Sequence, residues 1–501
     1  MPDRNKRPVA DARAGTGIAG LDDVLNGGLT RGHTFLLEGD PGTGKTTIAL
    51  QFLREGAVRG DKGLYITLSE TAEELRLGAA SHGWDLGGID VFELVPPENL
   101  LGEEHQQSLL YSSDLELGET TQRIFDAVEA SKPDLVVLDS LSEIRLLAQG
   151  SLRYRRQMLA LKHYFAARGT TVLMLDDLTA EEKDKTVHSI AHGVFRLEEL
   201  SPEYGGDRRR LRVLKYRGSR FRGGYHDFRI ETGGVRVFPR LVSSEFRRDF
   251  SREQRGTGIQ ALDRLLGGGV ERGSSVLVLG PAGAGKSIIS MTFLTRAVRR
   301  GERAAMFVFD EELGLLIERA KGIGIDLEAM QRKKKLMLMQ IDAAELTPGE
   351  FSARVREAIE DFGAKSIVID SMTGYQASMP EERSLILHMH ELLQFCNRSG
   401  ATTFLTIAQH GLLGGDMKAP IDLTYLADTV ILLRYFESQG EVRRAMSVVK
   451  KRTSAHENTI REYALTSRGL KVGPPLTNLH GILRGIPTIV NGAQVRPGRP
   501  P

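Results

Sequence analysis

The chain has 501 residues, which is long enough for two or more domains that each bury a core of their own. Hydrophobic residues make up 41% and charged residues 26%, and the formal net charge is only +2, so the composition does not indicate binding to nucleic acid or to an anionic membrane. The single cysteine, Cys396, excludes an intrachain disulfide and favours a reducing, cytoplasmic location. The polar N-terminus predicts no signal peptide, and no uncharged apolar run is long enough to span a membrane.

The first predicted domain covers residues 1–240 and contains a phosphate-binding loop near its start. Residues 34–38 form an apolar strand, 39–46 match the pattern G-x-x-x-x-G-K-[ST], and 47–53 form a helix. In this pattern the glycines let backbone N–H groups curl around a phosphate chain, the lysine reaches the β- and γ-phosphates, and the hydroxyl ligates Mg²⁺. The residues expected to contact ATP here are Gly42, Thr43, Gly44, Lys45, Thr46 and Thr47.

Strands and helices alternate through the rest of the first domain. Residues 64–68, 135–138 and 171–175 have the composition of buried strands, and 157–167 that of a helix. This alternation predicts an α/β fold, a mostly parallel sheet covered by helices on both faces. Towards residue 230 the pattern becomes strand–turn–strand, which indicates antiparallel strands at one edge of the sheet.

The whole arrangement is then repeated. Residues 280–287 match the same loop pattern, and the two loop lysines, Lys45 and Lys286, are 241 residues apart (286 − 45). The same offset relates the Gly-Thr-Gly-Ile sequences that begin at Gly15 and Gly256. A constant offset over ~30 residues indicates a duplicated domain rather than two convergent motifs. The residues expected to contact ATP in the second copy are Gly283, Ala284, Gly285, Lys286, Ser287 and Ile288.

Changes in composition along the chain predict the remaining boundaries between domains, linker and tail. Residues 241–254 are polar and charged and are expected to form a linker. Residues 255–475 repeat the strand and helix order of the first domain, and residues 476–501 become rich in proline and glycine, which predicts a flexible tail. The sequence therefore predicts two tandem P-loop NTPase domains, each a mostly parallel sheet flanked by helices.

Two aspartates are candidate metal ligands. Asp139 and Asp370 each close an apolar strand and precede a serine. A carboxylate at the carboxyl end of a parallel strand lies beside the phosphate loop, where it can hold Mg²⁺ together with the hydroxyl of Thr46 or Ser287. Strand-ending aspartates are common, and it is the position ~85–95 residues after a phosphate loop that makes these two informative.

Hydrolysis also requires a group that orients the attacking water. Glu70 follows the predicted strand that ends at Leu68, and the offset of 241 residues leads from Glu70 to Glu311. Asp310 precedes Glu311, whereas Ser69 precedes Glu70. We expect Glu70, Asp310 and Glu311 to act as acids or bases beside the nucleotide; solvated surface carboxylates are the alternative.

Two Lys-x-Arg sequences occur late in the two domains, Lys215 with Arg217 and Lys450 with Arg452. Residues two apart on a strand point the same way. Each pair can reach the γ-phosphate of a nucleotide in a neighbouring subunit, as an arginine finger does. A solvated basic edge strand, which protects a sheet against unwanted strand pairing, is the alternative.

Three basic segments bear on nucleic-acid binding. Residues 208–222 contain eight lysines and arginines, and 333–335 are three lysines, but the balanced net charge favours solvated or interfacial surface over phosphate binding. A DNA-dependent ATPase of the recombinase or helicase class needs basic or aromatic loops that face the ring axis. Residues 145–156, with four arginines, are the candidate for such a loop.

These motifs resemble the KaiC family of clock ATPases, within the wider group of RecA-like proteins. The resemblance runs from about residue 14 to about residue 490. It is carried by the Gly-Thr-Gly-Ile, Leu-Asp and Gly-Gly sequences before each phosphate loop, the Asp-Ser after each metal-site strand, Gly83-Trp84-Asp85-Leu86, residues 427–433, the Lys-x-Arg sequences and residues 482–488.

The resemblance implies a homohexamer of two stacked rings with Mg-ATP between adjacent subunits. It implies a slow ATPase in the first ring and serine/threonine autophosphorylation across the subunit boundary in the second. The family's catalytic acidic pair maps onto Ser69-Glu70 and Asp310-Glu311, and its trans-acting pair onto the two Lys-x-Arg sequences. Because Ser69 stands where the family has the first acidic residue of this pair, the ATP hydrolysis rate of the first domain is expected to differ from that of the family.

The family's Ser-Thr phosphoacceptor pair maps onto Thr424-Tyr425, so we expect phosphorylation on Thr424 and no two-site cycle; an ordinary interfacial threonine is the alternative. The leading hypothesis is an ATP-hydrolysing autokinase that works as a signalling or timing module, with regulatory proteins as partners at the tail and no nucleic-acid or membrane partner. A DNA-dependent ATPase and a scaffold with structural nucleotide are the alternative hypotheses.

Overall fold

The structure is a computed structural model that describes residues 12–94, 109–178, 186–202, 205–379, 382–409, 423–484 and 488–489. Residue contacts divide the chain into two units, residues 1–240 and 241–501. Each unit contains one nine-stranded sheet among its described residues. The predicted fold class, two tandem domains with mostly parallel sheets flanked by helices, is confirmed.

The first unit alternates strands and helices as predicted. Its strands are β1 (Arg13–Ala14), β2 (Leu29–Thr30), β3 (Thr34–Gly39), β4 (Gly63–Thr67), β5 (Ile89–Glu93), β6 (Leu135–Asp139), β7 (Thr171–Asp177), β8 (Gly193–Leu200), β9 (Arg208–Tyr216), β10 (Tyr225–Glu231) and β11 (Gly234–Phe238). Its helices are α1 (Leu21–Val24), α2 (Lys45–Val58), α3 (Ala72–Ser81), α4 (Leu109–Ser131), α5 (Leu141–Ala148), α6 (Ser151–Arg168) and α7 (Thr186–Ile190).

The second unit repeats this order. Its strands are β12 (Gln254–Arg255), β13 (Val270–Glu271), β14 (Ser275–Gly280), β15 (Arg303–Val308), β16 (Leu336–Gln340), β17 (Ala364–Asp370), β18 (Thr402–Ala408), β19 (Thr429–Ser438), β20 (Glu441–Lys451), β21 (Arg461–Thr466), β22 (Gly469–Pro475), β23 (Leu479–His480) and β24 (Thr488–Ile489). Its helices are α8 (Gln260–Leu265), α9 (Lys286–Arg299), α10 (Leu313–Gly322), α11 (Leu327–Arg332), α12 (Pro348–Glu360), α13 (Met372–Ser378) and α14 (Glu382–Arg398).

The two nine-stranded sheets have the same topology. In the first unit the order is β11-β10-β9-β8-β3-β7-β6-β4-β5, and in the second it is β22-β21-β20-β19-β14-β18-β17-β15-β16. In the first sheet the six neighbouring strands β8, β3, β7, β6, β4 and β5 run parallel. Strands β9, β10 and β11 extend the sheet as antiparallel strands, as the late strand–turn–strand pattern predicts. The strand that precedes each phosphate loop is therefore central, with parallel neighbours on both sides.

Apolar side chains cover both faces of each sheet, because successive residues of a strand point to opposite faces. On β3, Leu37 packs into the same core cluster as Phe52 of α2, whereas Leu36 packs into the cluster that contains Phe165 of α6. All four side chains are buried. The second unit has two corresponding clusters, one on each side of its sheet.

The first sheet also contains a buried carboxylate. Glu38 on β3 accepts hydrogen bonds from His188 at 2.6 Å and from Arg196 of β8 at 2.7 Å. Burial opposes ionisation of Glu38, but the contacts with His188 and Arg196 outweigh it and lower its pKa. Strand pairing places Glu38 opposite Arg196, and in the second unit the corresponding pair is Leu279 and Leu432. At equivalent positions, an ion pair therefore joins the two strands of the first sheet, and two leucines face each other in the second.

The segment expected to be a linker, residues 241–254, groups with the second unit. Leu241 is buried, and the rings of Phe246 and Phe395 lie 4.8 Å apart between centroids in an edge-to-face arrangement. The guanidinium of Arg272 lies over the ring of Phe250. The segment is therefore held to the second unit at a few apolar side chains, whereas residues 251–254 are exposed.

The beginning of the expected tail is packed as well. Ile482 is buried in a small cluster with Phe436 of β19, and β23 pairs with β24. The remainder of 476–501 lies outside the described residues. Within the described part of the chain, no helix is both long and apolar enough to cross a membrane.

Candidate functional sites

Each predicted phosphate loop lies between the carboxyl end of a central strand and the amino end of a helix. Gly44 has a φ of 97° and Gly285 a φ of 94°, in the left-handed region that favours glycine. A Cβ on Gly44 would lie 2.6 Å from Cδ1 of Ile230, and one on Gly285 would lie 2.9 Å from Cδ1 of Leu465. Conformation and space therefore both favour glycine where the loop turns into the helix.

The loop lysines curl back over their own loops. Lys45 Nζ donates to the carbonyl oxygens of Gly39 at 2.8 Å and Asp40 at 2.9 Å. Lys286 Nζ donates to the carbonyl oxygen of Pro281 at 2.9 Å. Each ammonium group is therefore held above the backbone N–H groups of its loop, where a phosphate chain would meet it.

The two strand-end aspartates lie beside the loops. Asp139 Oδ2 is 3.5 Å from Thr46 Oγ1 and accepts a hydrogen bond from the Tyr65 hydroxyl. Burial raises the pKa of Asp139, while the contact with Tyr65 opposes this shift. In the second unit Asp370 Oδ1 accepts from Thr406 Oγ1 at 2.5 Å. The aspartates are thus buried next to the loops but held by different partners in the two units.

Among the described residues, no group of three or more histidine, cysteine or acidic side chains is arranged to hold a metal ion. A magnesium ion bound with a nucleotide needs fewer protein ligands, because phosphate oxygens and water supply the others. One hydroxyl and one carboxylate beside the loop, as at Thr46 and Asp139, fit that requirement.

Glu70 lies next to this carboxylate in the first unit. Its backbone N–H donates to Thr67 Oγ1 at 2.9 Å, which fixes the turn that follows β4. Burial raises the pKa of Glu70, and the nearby carboxylates of Asp139, Glu74 and Asp177 add to this shift. A carboxylate with a raised pKa beside a phosphate loop is suited to accept a proton.

The acidic pair of the second unit is divided between two partners. Asp310 accepts a hydrogen bond from Ser371, the residue after Asp370, whereas Glu311 forms an ion pair with Arg319 of α10 at 2.5 Å. Burial raises the pKa of Glu311, although Arg319 opposes the shift. Asp310 therefore belongs to the group around Asp370, and Glu311 stands at the side of α10.

The Lys-x-Arg side chains bind main-chain carbonyls of the segment before the neighbouring strand. Lys450 Nζ donates to the carbonyl oxygen of Thr424 at 2.7 Å, and Arg452 to that of Tyr425 at 2.6 Å. Thr424 is half-buried and Tyr425 is exposed. The candidate acceptor and the candidate trans-acting cations are therefore adjacent.

The first unit has the same contacts. Lys215 donates to the carbonyl oxygens of His188 at 2.5 Å and Ala191 at 2.7 Å, and Arg217 to that of Ser189 at 2.8 Å. His188 and Ser189 therefore stand where the second unit has its threonine and tyrosine. This correspondence is not evident from the sequence, because equivalent residues of the two domains are not 241 positions apart in this part of the chain.

The structure also reveals a site residue that the sequence analysis missed. Asp177 ends β7 and forms an ion pair with Lys45 Nζ at 2.7 Å. The signal was present in the sequence, since Asp177 closes an apolar strand as Asp139 does.

Three arginines of the basic segments form ion pairs with neighbouring carboxylates. Arg209 and Arg210 of β9 pair with Glu199 and Glu198 of β8. In the candidate DNA-facing segment, Arg145 is bound to the buried Asp176. These contacts assign Arg145, Arg209 and Arg210 to ion pairs within the unit rather than to a nucleic-acid surface.

Comparison with known proteins decides the family. A family model described as ATPase: KaiC matches residues 14–242 and again residues 255–477, so one match falls on each unit. The chain belongs to the KaiC family of ATPases. The two phosphate loops, the strand-end aspartates and the Lys-x-Arg sequences lie within the two matched ranges, and the resemblance seen in the sequence is confirmed.

Relatives in the KaiC family match over nearly their whole length. The Circadian clock protein KaiC3 of Synechocystis sp. is 30% identical over 491 residues, which is 96% of this chain and 95% of that protein. The Circadian clock oscillator protein KaiC of Thermostichus vulcanus is 28% identical over 512 residues, covering 98% of this chain and 96% of that protein. The KaiC of Synechococcus elongatus is 28% identical over 494 residues, covering 97% and 94%.

Proposed function

We propose that this KaiC-family ATPase binds and hydrolyses Mg-ATP at both phosphate loops and phosphorylates its own Thr424, as a signalling or timing module. One observation supports this most directly. In each unit a loop lysine and a buried strand-end aspartate, Lys45 with Asp139 and Lys286 with Asp370, lie on the same edge of the sheet. That arrangement is what triphosphate binding with a divalent cation requires.

The loop residues would hold the nucleotide. Lys45 and Lys286 would bind the phosphate oxygens, together with the backbone N–H groups of their loops. Thr46 with Asp139, and Ser287 with Asp370, would hold Mg²⁺, which supplies charge neutralisation when bound. The buried position of both aspartates favours a charged partner in the nucleotide-bound state.

The neighbouring carboxylates would take the proton. In the first unit Glu70, whose pKa is raised, would orient water beside the terminal phosphate. In the second unit Asp310 and Glu311 would accept the proton of the attacking hydroxyl. A threonine hydroxyl has to lose this proton as its oxygen bonds to the terminal phosphorus and the bond to the departing ADP breaks, and the raised pKa of Glu311 suits it to that task.

The acceptor and the Lys-x-Arg pair share one surface, which supports transfer between subunits. Because Lys450 and Arg452 bind the carbonyl oxygens of Thr424 and Tyr425, a neighbour's nucleotide that reached the cations would also reach the threonine. We therefore propose a homohexamer with nucleotide between subunits, in which Lys450 and Arg452, and Lys215 and Arg217 in the other ring, face the next subunit's phosphates. Light scattering with and without ATP tests the copy number.

Intact-mass measurement after incubation with Mg-ATP tests the autokinase. We expect one added phosphate, located on Thr424 by peptide mapping. Thr424→Val, which keeps the shape without the hydroxyl, should remove it, and the matched control Tyr425→Phe should keep it. Glu311→Gln should slow transfer by about 10²–10⁴-fold.

Three other outcomes would change the proposal. Phosphate that persists in Thr424→Val would place the acceptor elsewhere. ATP hydrolysis without phosphorylation would leave the ATPase and refute the kinase. A large stimulation of ATP hydrolysis by single-stranded DNA would instead favour a DNA-dependent ATPase.

Proteins that bind the C-terminal residues are expected as regulators and can be tested by comparing binding to the full chain and to a chain ending at residue 475.

A further inference from the structure

The ion pair between Lys45 and Asp177 distinguishes the two phosphate loops. Lys45 is 8% exposed, and its Nζ lies 2.7 Å from Asp177 Oδ1. Asp177 is the last residue of β7, which lies between β3 and β6 in the sheet. Its carboxylate therefore stands between the phosphate loop and Asp139.

The second unit has no carboxylate at this position. Strand pairing sets Asp177 opposite Gly39 in the first unit and Ala408 opposite Gly280 in the second. Among the described residues, Lys286 forms no ion pair, and burial lowers its pKa although Asp370 and Asp310 oppose the shift. A buried ammonium group without a paired carboxylate gains more from an arriving phosphate than one that is already paired.

The consequence for binding is electrostatic. A nucleotide that takes Lys45 in the first unit has to replace Asp177 as its partner. The released carboxylate then lies beside the phosphate chain in a site that already contains Asp139 and Glu70, and like charges at this range repel. In the second unit no carboxylate forms an ion pair with Lys286 among the described residues, although Asp370 and Asp310 lie near enough to act on its charge.

We propose that Asp177 is a specificity-determining residue that weakens nucleoside triphosphate binding at the first phosphate loop, by competing for Lys45 and repelling the terminal phosphate. The proposal rests on the proposed function, namely that both loops bind nucleotide. Filling of the first loop then requires a higher ATP concentration than it would without Asp177.

Single-site proteins allow each loop to be measured separately in the full chain. Lys286→Ala leaves the first loop, and Lys45→Ala leaves the second. Binding of a fluorescent, non-hydrolysable ATP analogue is titrated in the presence of Mg²⁺. In the Lys286→Ala chain, adding Asp177→Asn should tighten binding about tenfold, as removal of one close charge predicts. The change should be smaller for the diphosphate, which lacks the terminal phosphate.

The repeat offers a reciprocal test. In the Lys45→Ala chain, Ala408→Asp places a carboxylate at the position of Asp177 and should weaken binding about tenfold. A matched control is Glu119→Gln, which removes one negative charge from an exposed position on α4 and should leave both affinities unchanged.

The outcomes separate this inference from the function on which it rests. Unchanged or weaker binding in Asp177→Asn, with the parent chain binding normally, would overturn the inference alone. Absence of binding in the Lys286→Ala parent would refute nucleotide binding at the first loop and the inference with it. If Asp177→Asn fails to fold, the Ala408→Asp arm decides, and unchanged affinity there would overturn the inference.

Discussion

Protonation of the buried His226 should destabilise the first unit in acid. His226 on β10 is fully buried, its Nδ1 accepts the backbone N–H of Arg240 at 2.9 Å, and its Nε2 donates to the carbonyl oxygen of Arg222 at 2.9 Å. Both ring nitrogens of the neutral imidazole therefore make hydrogen bonds. Protonation of Nδ1 would replace its hydrogen bond with Arg240 by a repulsive contact between two N–H donors. Burial lowers the pKa of His226 to about 4.

The magnitude follows from the difference between the folded and unfolded pKa. The unfolded chain keeps the ordinary value of about 6.5, so between about pH 6.5 and pH 4 it binds a proton that the folded chain does not. Stability is therefore lost as the pH falls through this window. At about pH 5 the loss from His226 alone amounts to about 2 kcal/mol of unfolding free energy.

The assay uses the only tryptophan of the chain. Trp84 is buried in the core of the first unit, so its fluorescence follows unfolding of that unit alone. Urea titrations at about pH 7.5 and pH 5 compare the parent chain with His226→Gln, whose amide can make both hydrogen bonds without titrating. His163→Gln, at an exposed position on α6, is the control. Equal losses of free energy in the parent and His226→Gln would refute the reasoning.

Two further predictions concern the second unit. The first uses a chain whose first loop is disabled by Lys45→Ala, in which Gly374→Ala should lower ATP turnover about 10–100-fold while nucleotide binding is retained. The reason is that the new Cβ would lie 2.2 Å from Oδ1 of Asp310 and displace it. Unchanged turnover would remove Asp310 from the catalytic group. Cys396 is fully buried and burial raises its thiol pKa to about 12, so it should react with a thiol reagent only when the second unit opens, and a fast reaction in the native chain would contradict that.

The parallel core of the fold could be predicted because its signals are local. An apolar strand followed by a glycine-rich loop and a helix is readable within about fifteen residues, and the constant offset made the second copy visible. The aspartates at the ends of β6 and β17 could be predicted for the same reason, since an acidic residue stands out against an apolar run.

The remaining features depend on which strands become neighbours, and the sequence does not state this. Asp177 meets Lys45 only because β7 inserts between β3 and β6. Lys215 and Lys450 reach main-chain carbonyls because of the register in which the antiparallel strands β9 and β20 pair with β8 and β19. The packing of residues 241–254 rests on a few aromatic contacts in an otherwise polar segment, which composition cannot weigh.

The buried carboxylate of β3 has a consequence for folding. A chain that contains two similar domains can pair a strand of one copy with a strand of the other, which is a characteristic misassembly of repeated domains. If β3 paired with β19 in place of β8, Glu38 would lie beside Leu432 and lose its ion pair with Arg196, and removing one partner of a buried ion pair costs about 3–5 kcal/mol. The ion pair between Glu38 and Arg196 therefore helps each phosphate-loop strand to find its own partner.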